Sequence, residues 1–263
     1  MTALLERDRE QQRAGLWPWR AAVRLAFEAA LMAGLYLLYA RVRDLHGTAS
    51  AAHASVARAH GLALARLEHL VHLDVEHSVQ AQVLGHGGLV RALDGWYGGA
   101  HFAVTLLALL TLAVRGGATY RRWRRVLVLG TALGVAVFAW HATMPPRLLP
   151  APYATVDTLH VYGGLWSYDD GSLERIADPY AALPSLHLVW AGWCTLVGLS
   201  VLRRPVLRAL AVLYPCVTTW AVLATGNHFL LDVLAGLAVL AVATGIVLAA
   251  ERQRGRLRGR GAG

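Results

Sequence analysis

Hydrophobic residues fall in six long blocks along this chain, at about 21–40, 98–114, 126–143, 185–202, 206–224 and 229–250. Charged positions crowd the gaps between them. A helix that crosses a bilayer needs roughly 20 mostly apolar residues, so each block predicts a membrane-spanning helix. Segment 41–97 follows another pattern. There Leu67, Leu70, Val71, Leu73 and Val75 recur near helical spacing, with Glu68, His69, His72, Glu76 and His77 among them. This predicts an amphipathic helix lying at the outer interface, its acids and histidines on a wet face. Residues 85–88 read as a turn. The expected fold class is all-α: an integral membrane bundle of six transmembrane helices with one extra outer interfacial helix.

The expected organisation is a short segment 1–20, one membrane domain over 21–250 and an Arg-rich tail over 251–263. Composition agrees with the blocks, because 56% of the 263 residues are hydrophobic and only 16% charged, too apolar for an ordinary soluble domain. The first block is not a signal peptide, since Arg41 and Arg43 follow it with no small-residue cleavage site. Inside it, Arg24 and Glu28 stand one helical turn apart and are expected to pair.

The formal charge of +9 comes with arginine as the only basic residue besides histidine. The arginines flank apolar blocks and form no separate basic domain, so no nucleic-acid partner is expected. They also assign sides. Arg7, Arg9, Arg13 and Arg20 precede the first block; Arg115 and Arg121 to Arg125 separate the second and third; Arg203, Arg204 and Arg208 separate the fourth and fifth; five more fill the tail. The positive-inside rule places all four groups, and both termini, in the cytoplasm of a multi-pass cell-membrane protein. Gaps 41–97, 144–184 and 225–228 then face outward. Cys194 and Cys216 lie inside apolar blocks and read as small buried residues rather than a disulfide.

Three outer helix ends carry polar residues that a plain span would not. The third block exits through "MPPRLLP" with Arg147, the fourth enters through "PSLH" with Ser185 and His187, and the sixth enters through "TGNHFLLD" with Asn227, His228 and Asp232. Singly, each reads equally well as an interface anchor, a cap or a structural pair. Together they fit phosphoryl transfer. His228 and Asp232 share a helix face, so the carboxylate fixes the imidazole tautomer and frees the other nitrogen as nucleophile. His187 is placed to protonate a departing oxygen. Arg147 offers a planar fork to phosphate, and Ser185 with Asn227 and the open N–H groups of a helix start add donors. Tyr97, His101 and Tyr180 are candidate substrate-lining residues. The pair His72 and Glu76 has metal-ligand spacing but no further ligands accompany it, so neither metal nor cofactor is expected. A membrane dihaem protein would want histidine pairs on facing helices, and His101 and His141 do not complete one.

At these residues the chain resembles the type 2 phosphatidic acid phosphatase superfamily. "PSLH" resembles its second motif, Pro-Ser-x-His, and "HFLLD" the end of its third, His-x-x-x-Asp; the match runs over about 140–240. The resemblance implies a phosphohistidine on His228, support from Asp232 and an acid at His187. There are departures: Trp140 stands where the first motif has Lys, Leu148 replaces a Pro, and Ala221 and Val222 replace Ser-Arg ahead of the third motif's His. "PPRLLP", "DPYAALPSLH" and "TGNHFLLD" are similar to the branch related to inositol phosphorylceramide synthase, often described as inositolphosphotransferase-like. The expected partners are a lipid phosphate or phosphodiester, a polyol acceptor and the surrounding membrane lipids. Fewer fixed cations favour a singly charged phosphodiester over a dianionic monoester. The alternatives are a lipid phosphate phosphatase that only hydrolyses, and a non-catalytic lipid-binding descendant of the same fold. Acids and aromatics of segment 150–183 are candidates to cover the site.

Overall fold

The computed structural model describes residues 50–163 and 179–260, with side chains to 257, and positions 19, 22–23, 25–34, 36–37 and 39–41 of the first apolar block. Those first-block positions are helical, and 25–34 are called α1. The rest of the described chain is α2 (Ala51–Leu70), α3 (Glu76–Ala81), α4 (Gly87–Gly95), α5 (His101–Arg115), α6 (Gly117–Trp140), α7 (Thr158–Tyr162), α8 (Leu186–Val201), α9 (Pro205–Ala224) and α10 (Leu230–Arg260). A π-helical turn, Trp96–Ala100, joins α4 to α5 without a break. Arg147 lies in a short 3₁₀ turn, Pro146–Leu148.

Among the described residues, four helices are long and apolar enough to cross a membrane: Gly87–Arg115, Gly117–Trp140, Pro205–Ala224 and Leu230–Leu257. The chain is thus built as a helical membrane bundle. The predicted second span begins earlier than its apolar block, because α4 and the π turn extend it at the polar end. The third likewise begins at Gly117, so Arg121 to Arg125 ride on its first turns.

The fourth block forms only the 16-residue α8, about 24 Å long at 1.5 Å per residue. It is apolar all round because it is the centre of the bundle, packed against α5, α6, α9 and α10. Its Trp193 is fully buried and donates its indole N–H to the Trp123 carbonyl of α6 at 2.7 Å. Leu109 and Leu112 of α5, Val126 of α6 and Ala243 of α10 close the same core.

Several expectations change. Glu28 is buried, but it accepts a hydrogen bond from the Tyr120 hydroxyl and sits 3.7 Å from Arg124 Nη1 of α6; its expected partner Arg24 lies outside the described residues. Cys194 is buried, while Cys216 is exposed on the outside of α9. The predicted single amphipathic helix is two helices. His72 has φ +57°, so the chain turns in the left-handed region and α3 leaves in a new direction. His72 and Glu76 therefore do not share a helix face, and the described residues hold no group that could bind a metal ion. Glu68 and Glu76, expected in water, are 1% and 4% exposed. The predicted turn falls slightly early, at 82–85, and Gly87 already opens α4.

The loops after α6 and before α8 are tied together. Thr143 N donates to the Tyr180 carbonyl at 2.6 Å, Ala182 N donates back to Thr143 at 3.3 Å, and Thr143 and Ala181 form an isolated parallel bridge. α2 packs on this junction, where Met144 N donates to the Ala57 carbonyl at 3.0 Å and His60 Nδ1 to that of Ala142 at 2.8 Å. Its buried face is Ala57, Gly61, Ala65 and Glu68, small residues followed by an acid. The result brings Arg147, the start of α8 and the start of α10 to one end of the bundle. Of the outer segment 150–183, positions 164–178, including Trp166, Tyr168 and Asp170, lie outside the described residues.

Candidate active site

The start of α10 organises the site. Asp232 is fully buried. Its Oδ2 accepts from Phe229 N at 2.8 Å and from His228 Nδ1 at 3.3 Å. A carboxylate only accepts, so Nδ1 of His228 carries the hydrogen and Nε2 keeps a lone pair. That Nε2 lies 3.3 Å from Nδ1 of His187, in the first turn of α8. The order Asp232, His228, His187 is thus one hydrogen-bonded row with all donors pointing the same way.

α8 and α10 are held close enough for this contact by Gly236. A Cβ there would overlap the Ser185 carbonyl oxygen, so only glycine permits the approach. Ser185 N then donates to the Asp232 carbonyl at 3.0 Å. The Ser185 hydroxyl is buried and has no hydrogen-bond partner within the described structure.

The His187 ring is gripped from the other side. Tyr97 stacks on it at 4.5 Å between centroids, and His101 meets it edge-on at 4.3 Å. Both come from the segment where the π turn shifts the helix register, and such turns recur at functional sites. The Tyr97 carbonyl accepts from His101 Nδ1 at 2.9 Å. A carbonyl only accepts, so the hydrogen of His101 sits on Nδ1.

Arg147 approaches from the loop after α6. Its side chain is 6% exposed. Nε donates to Asn227 Oδ1 at 2.8 Å, and Nη1 donates to Asp157 Oδ2 at 2.8 Å. Asn227 is itself fixed, donating Nδ2 to the Thr225 hydroxyl at 2.8 Å. Asn227 thus fixes the direction of the Arg147 guanidinium. The loop's shape depends on Gly226, whose φ of +69° is left-handed and whose missing Cβ leaves space for the Thr155 hydroxyl. Arg147 N donates to the Gly226 carbonyl at 3.0 Å, tying the Arg147 and His228 segments by backbone.

Sequence reasoning thus places His187, His228, Asp232, Arg147, Ser185, Asn227, Tyr97 and His101 at one end of the bundle. Tyr180, at the same end, packs on His53 at 5.6 Å between ring centroids and on the apolar cluster that holds Phe229. Trp140 is 90% exposed, so the position of the first motif's Lys turns away from the site. Ala221 and Val222 are fully buried in apolar clusters.

Two groups of residues take partners that spacing does not reveal: Asp157, one of the acids expected to cover the site, and the glutamates expected on a wet face. Asp157 caps α7 by accepting from His160 N at 3.3 Å, and it also pairs with Arg147. Glu76 Oε1 accepts from Leu230 N at 2.8 Å, and Glu68 Oε1 from Leu231 N at 2.6 Å. Both glutamates line a cavity of about 280 Å³ beside Phe229, with Asp74, His77 and Tyr153. Burial, followed by the Glu76 carboxylate, pushes Glu68 up to about 9. Burial also raises Glu76. Asp74, in water, is held low by its 2.8 Å bond to His69.

The family model for the PAP2 superfamily matches residues 62–246, which is most of the chain and includes every residue of this site. Neither the curated proteins nor the solved structures include a match. With a helical membrane bundle, the Pro-Ser-x-His and His-x-x-x-Asp histidines in contact and a buried arginine beside them, the chain belongs to the PAP2 superfamily, and that membership supports a phosphatase-type phosphoesterase activity.

Proposed function

We propose that this protein is a membrane phosphotransferase that moves a phosphate-bearing headgroup between lipid-linked alcohols through a phosphohistidine on His228. The observation that carries it is the row Asp232, His228, His187, each joined to the next at 3.3 Å, with Arg147 tied by backbone to the same loop. His228 Nε2 attacks phosphorus, the bond from phosphorus to the leaving oxygen breaks, and His187 gives its Nδ1 proton to that oxygen. An acceptor hydroxyl then attacks the phosphohistidine and returns its proton to His187. The two rings touch in the resting state, so the phosphate enters by parting them, and the Tyr97 stack is what His187 slides against. Arg147 and the open N–H groups at the start of α8 hold the phosphoryl oxygens. No metal enters these steps.

Charge supports a singly charged donor. Arg147 already carries Asp157 as counter-ion. The positions of the superfamily's other two cations are an outward-facing Trp140 and a core Val222. A dianionic monoester has little to offset its second charge there, whereas a phosphodiester has one charge to place. This supports transfer in the inositolphosphotransferase-like manner, to a polyol or another alcohol. Hydrolysis is the same sequence with water as acceptor.

The topology we assign has six crossings within one membrane domain over 21–250, both termini cytoplasmic and the site at the outer headgroup level. The four long helices, the central α8, the described helical positions of the first block and the arginine clusters support it.

The test is to incubate the purified protein with dioctanoyl phosphatidylinositol or phosphatidic acid, each labelled on phosphorus, and to quench at alkaline pH. We expect acid-labile label on wild type and none on His228→Ala. Equal labelling of the two would remove His228 as nucleophile. Adding a polyol then separates the reactions: release of phosphate or inositol phosphate with no transfer product would refute the transferase reading.

A further inference from the structure

The first turn of any helix leaves N–H groups without intrahelical partners. In α10 three successive ones are answered by three carboxyl groups from three helices: Phe229 N by Asp232, Leu230 N by Glu76 and Leu231 N by Glu68. Phe229, at the cap position, has no side-chain acceptor of its own. The two glutamates come from more than 150 positions upstream. They are buried, they belong to neither the histidine row nor the arginine, and they bond the two residues that lead into Asp232.

We infer that Glu68 and Glu76 are positioning residues of the phosphoryl-transfer site, clamping the first turn of α10 so that Asp232 and His228 keep their register toward His187. The inference rests on His228 acting as proposed above. The geometry explains why a clamp is needed there. The His228 ring is set by two 3.3 Å contacts, to Asp232 on its own turn and to His187 of α8, and a shift of the α10 turn breaks the second. Displacements on the order of 1 Å in such a site cost about 100-fold in rate.

It also explains the use of acids in a pair. Asp232 must be ionised to hold the hydrogen of His228 Nδ1. Three ionised carboxylates cannot share one buried turn, so a proton stays on the glutamates. Glu68 Oε2 is buried with no hydrogen-bond partner among the described residues, and burial followed by the Glu76 carboxylate holds the proton on Glu68. The other titratable groups facing the pair are His69 and Asp74, bonded to each other, His77 of α3, whose Nε2 donates to the Ala154 carbonyl, Tyr153, and Asp232 with His228. Losing the Glu68 proton at alkaline pH puts a second charge beside Asp232 and against the incoming phosphate.

The experiment uses the full chain in detergent micelles with dioctanoyl phosphatidylinositol or dioctanoyl phosphatidic acid, whichever wild type turns over faster. Rates are taken from about pH 6 to about pH 10, and amide exchange is followed over 229–232. Glu68→Ala is expected to lower kcat by about 10- to 100-fold with KM little changed, and to speed exchange of the Leu231 amide. Glu68→Gln keeps an acceptor for Leu231 without a proton to lose. It is expected to restore kcat to within about threefold and to flatten the alkaline fall. A Gln variant as slow as Ala, an Ala variant with wild-type kcat, or an alkaline limb unchanged in Gln would each overturn the inference. If wild type and His228→Ala turn over the probe equally, it is the nucleophile that fails, a result separate from any effect of the glutamates.

Discussion

In the proposed reaction Asp157 sets the charge that a phosphate meets, and Asp157→Asn measures it. The asparagine keeps one oxygen to accept from Arg147 Nη1, now bonded at 2.8 Å, while its amide group takes the place of the oxygen that accepts from His160 N. The negative charge goes, and the weakened cap of α7 acts on both substrates alike. A phosphate on the remaining face of the guanidinium has its charge on the order of 6 Å from that carboxylate. At an effective dielectric near 20 the repulsion is about 3 kcal/mol per unit charge. Asp157 is 23% exposed, so solvent lowers this to roughly 1 kcal/mol. A dianionic monoester feels about twice what a monoanionic diester feels. Removing the charge should therefore raise kcat/KM for the monoester about fivefold relative to the diester. The assay compares dioctanoyl phosphatidic acid with dioctanoyl phosphatidylinositol at equal micelle mole fraction, at a pH where the monoester is fully ionised. An unchanged ratio, or a larger gain for the diester, would refute the view that the Arg147 pair selects by charge.

Other outcomes follow from the same geometry. Gly226→Ala forces a left-handed residue and presses a methyl group on Thr155 and on Arg147 Cβ; a cost of about 2 kcal/mol corresponds to a melting temperature lower by roughly 4–8 °C in thermal unfolding, with activity reduced at least tenfold. Asp232→Asn removes the carboxylate that fixes the His228 tautomer, and kcat should fall by roughly 100-fold or more while the far-ultraviolet dichroism is retained. Stability should decline with rising pH. Unfolded Glu68 loses its proton near 4.5 and the folded one keeps it to about 9, so the folded state binds more protons across that window and each step upward favours unfolding. Thermal unfolding at about pH 6 and about pH 9 checks the sign, and Glu68→Gln should shrink the difference.

How far the site was legible depended on where each residue's partner lies. His228 and Asp232 are one helical turn apart, so local periodicity alone put them together, and the structure has them bonded. Arg147, His187 and His228 come from different helix ends. Their expected sidedness rested on the arginine clusters, whereas the tie between the Arg147 and His187 loops is a backbone bridge at Thr143 that no local pattern encodes. α8 was read as a span from its apolar run, yet the same run serves a short helix surrounded by others, since lipid and protein interior select the same side chains. Segment 67–77 failed in a more instructive way. Its apolar spacing is helical throughout, but His72 takes a left-handed conformation that histidine reaches only at modest cost, and spacing does not register a break at a residue with a normal side chain. The break is what turns Glu76 inward.

One signal for the glutamates was present and belongs to α10 rather than to them. "NHFLLD" starts a helix on Phe229, with no Ser, Thr, Asp or Asn at the cap. A buried helix start without its own acceptor has to borrow acceptors, and in an apolar chain the supply is short. Acids flanked by leucine and valine, such as Glu68 and Glu76, are where such a debt is met, because a carboxyl group is too costly to bury unless something buried requires it. The rule that marked Arg147 and His187 as out of place in an apolar setting applies equally to those two glutamates, and it points to the same turn of α10.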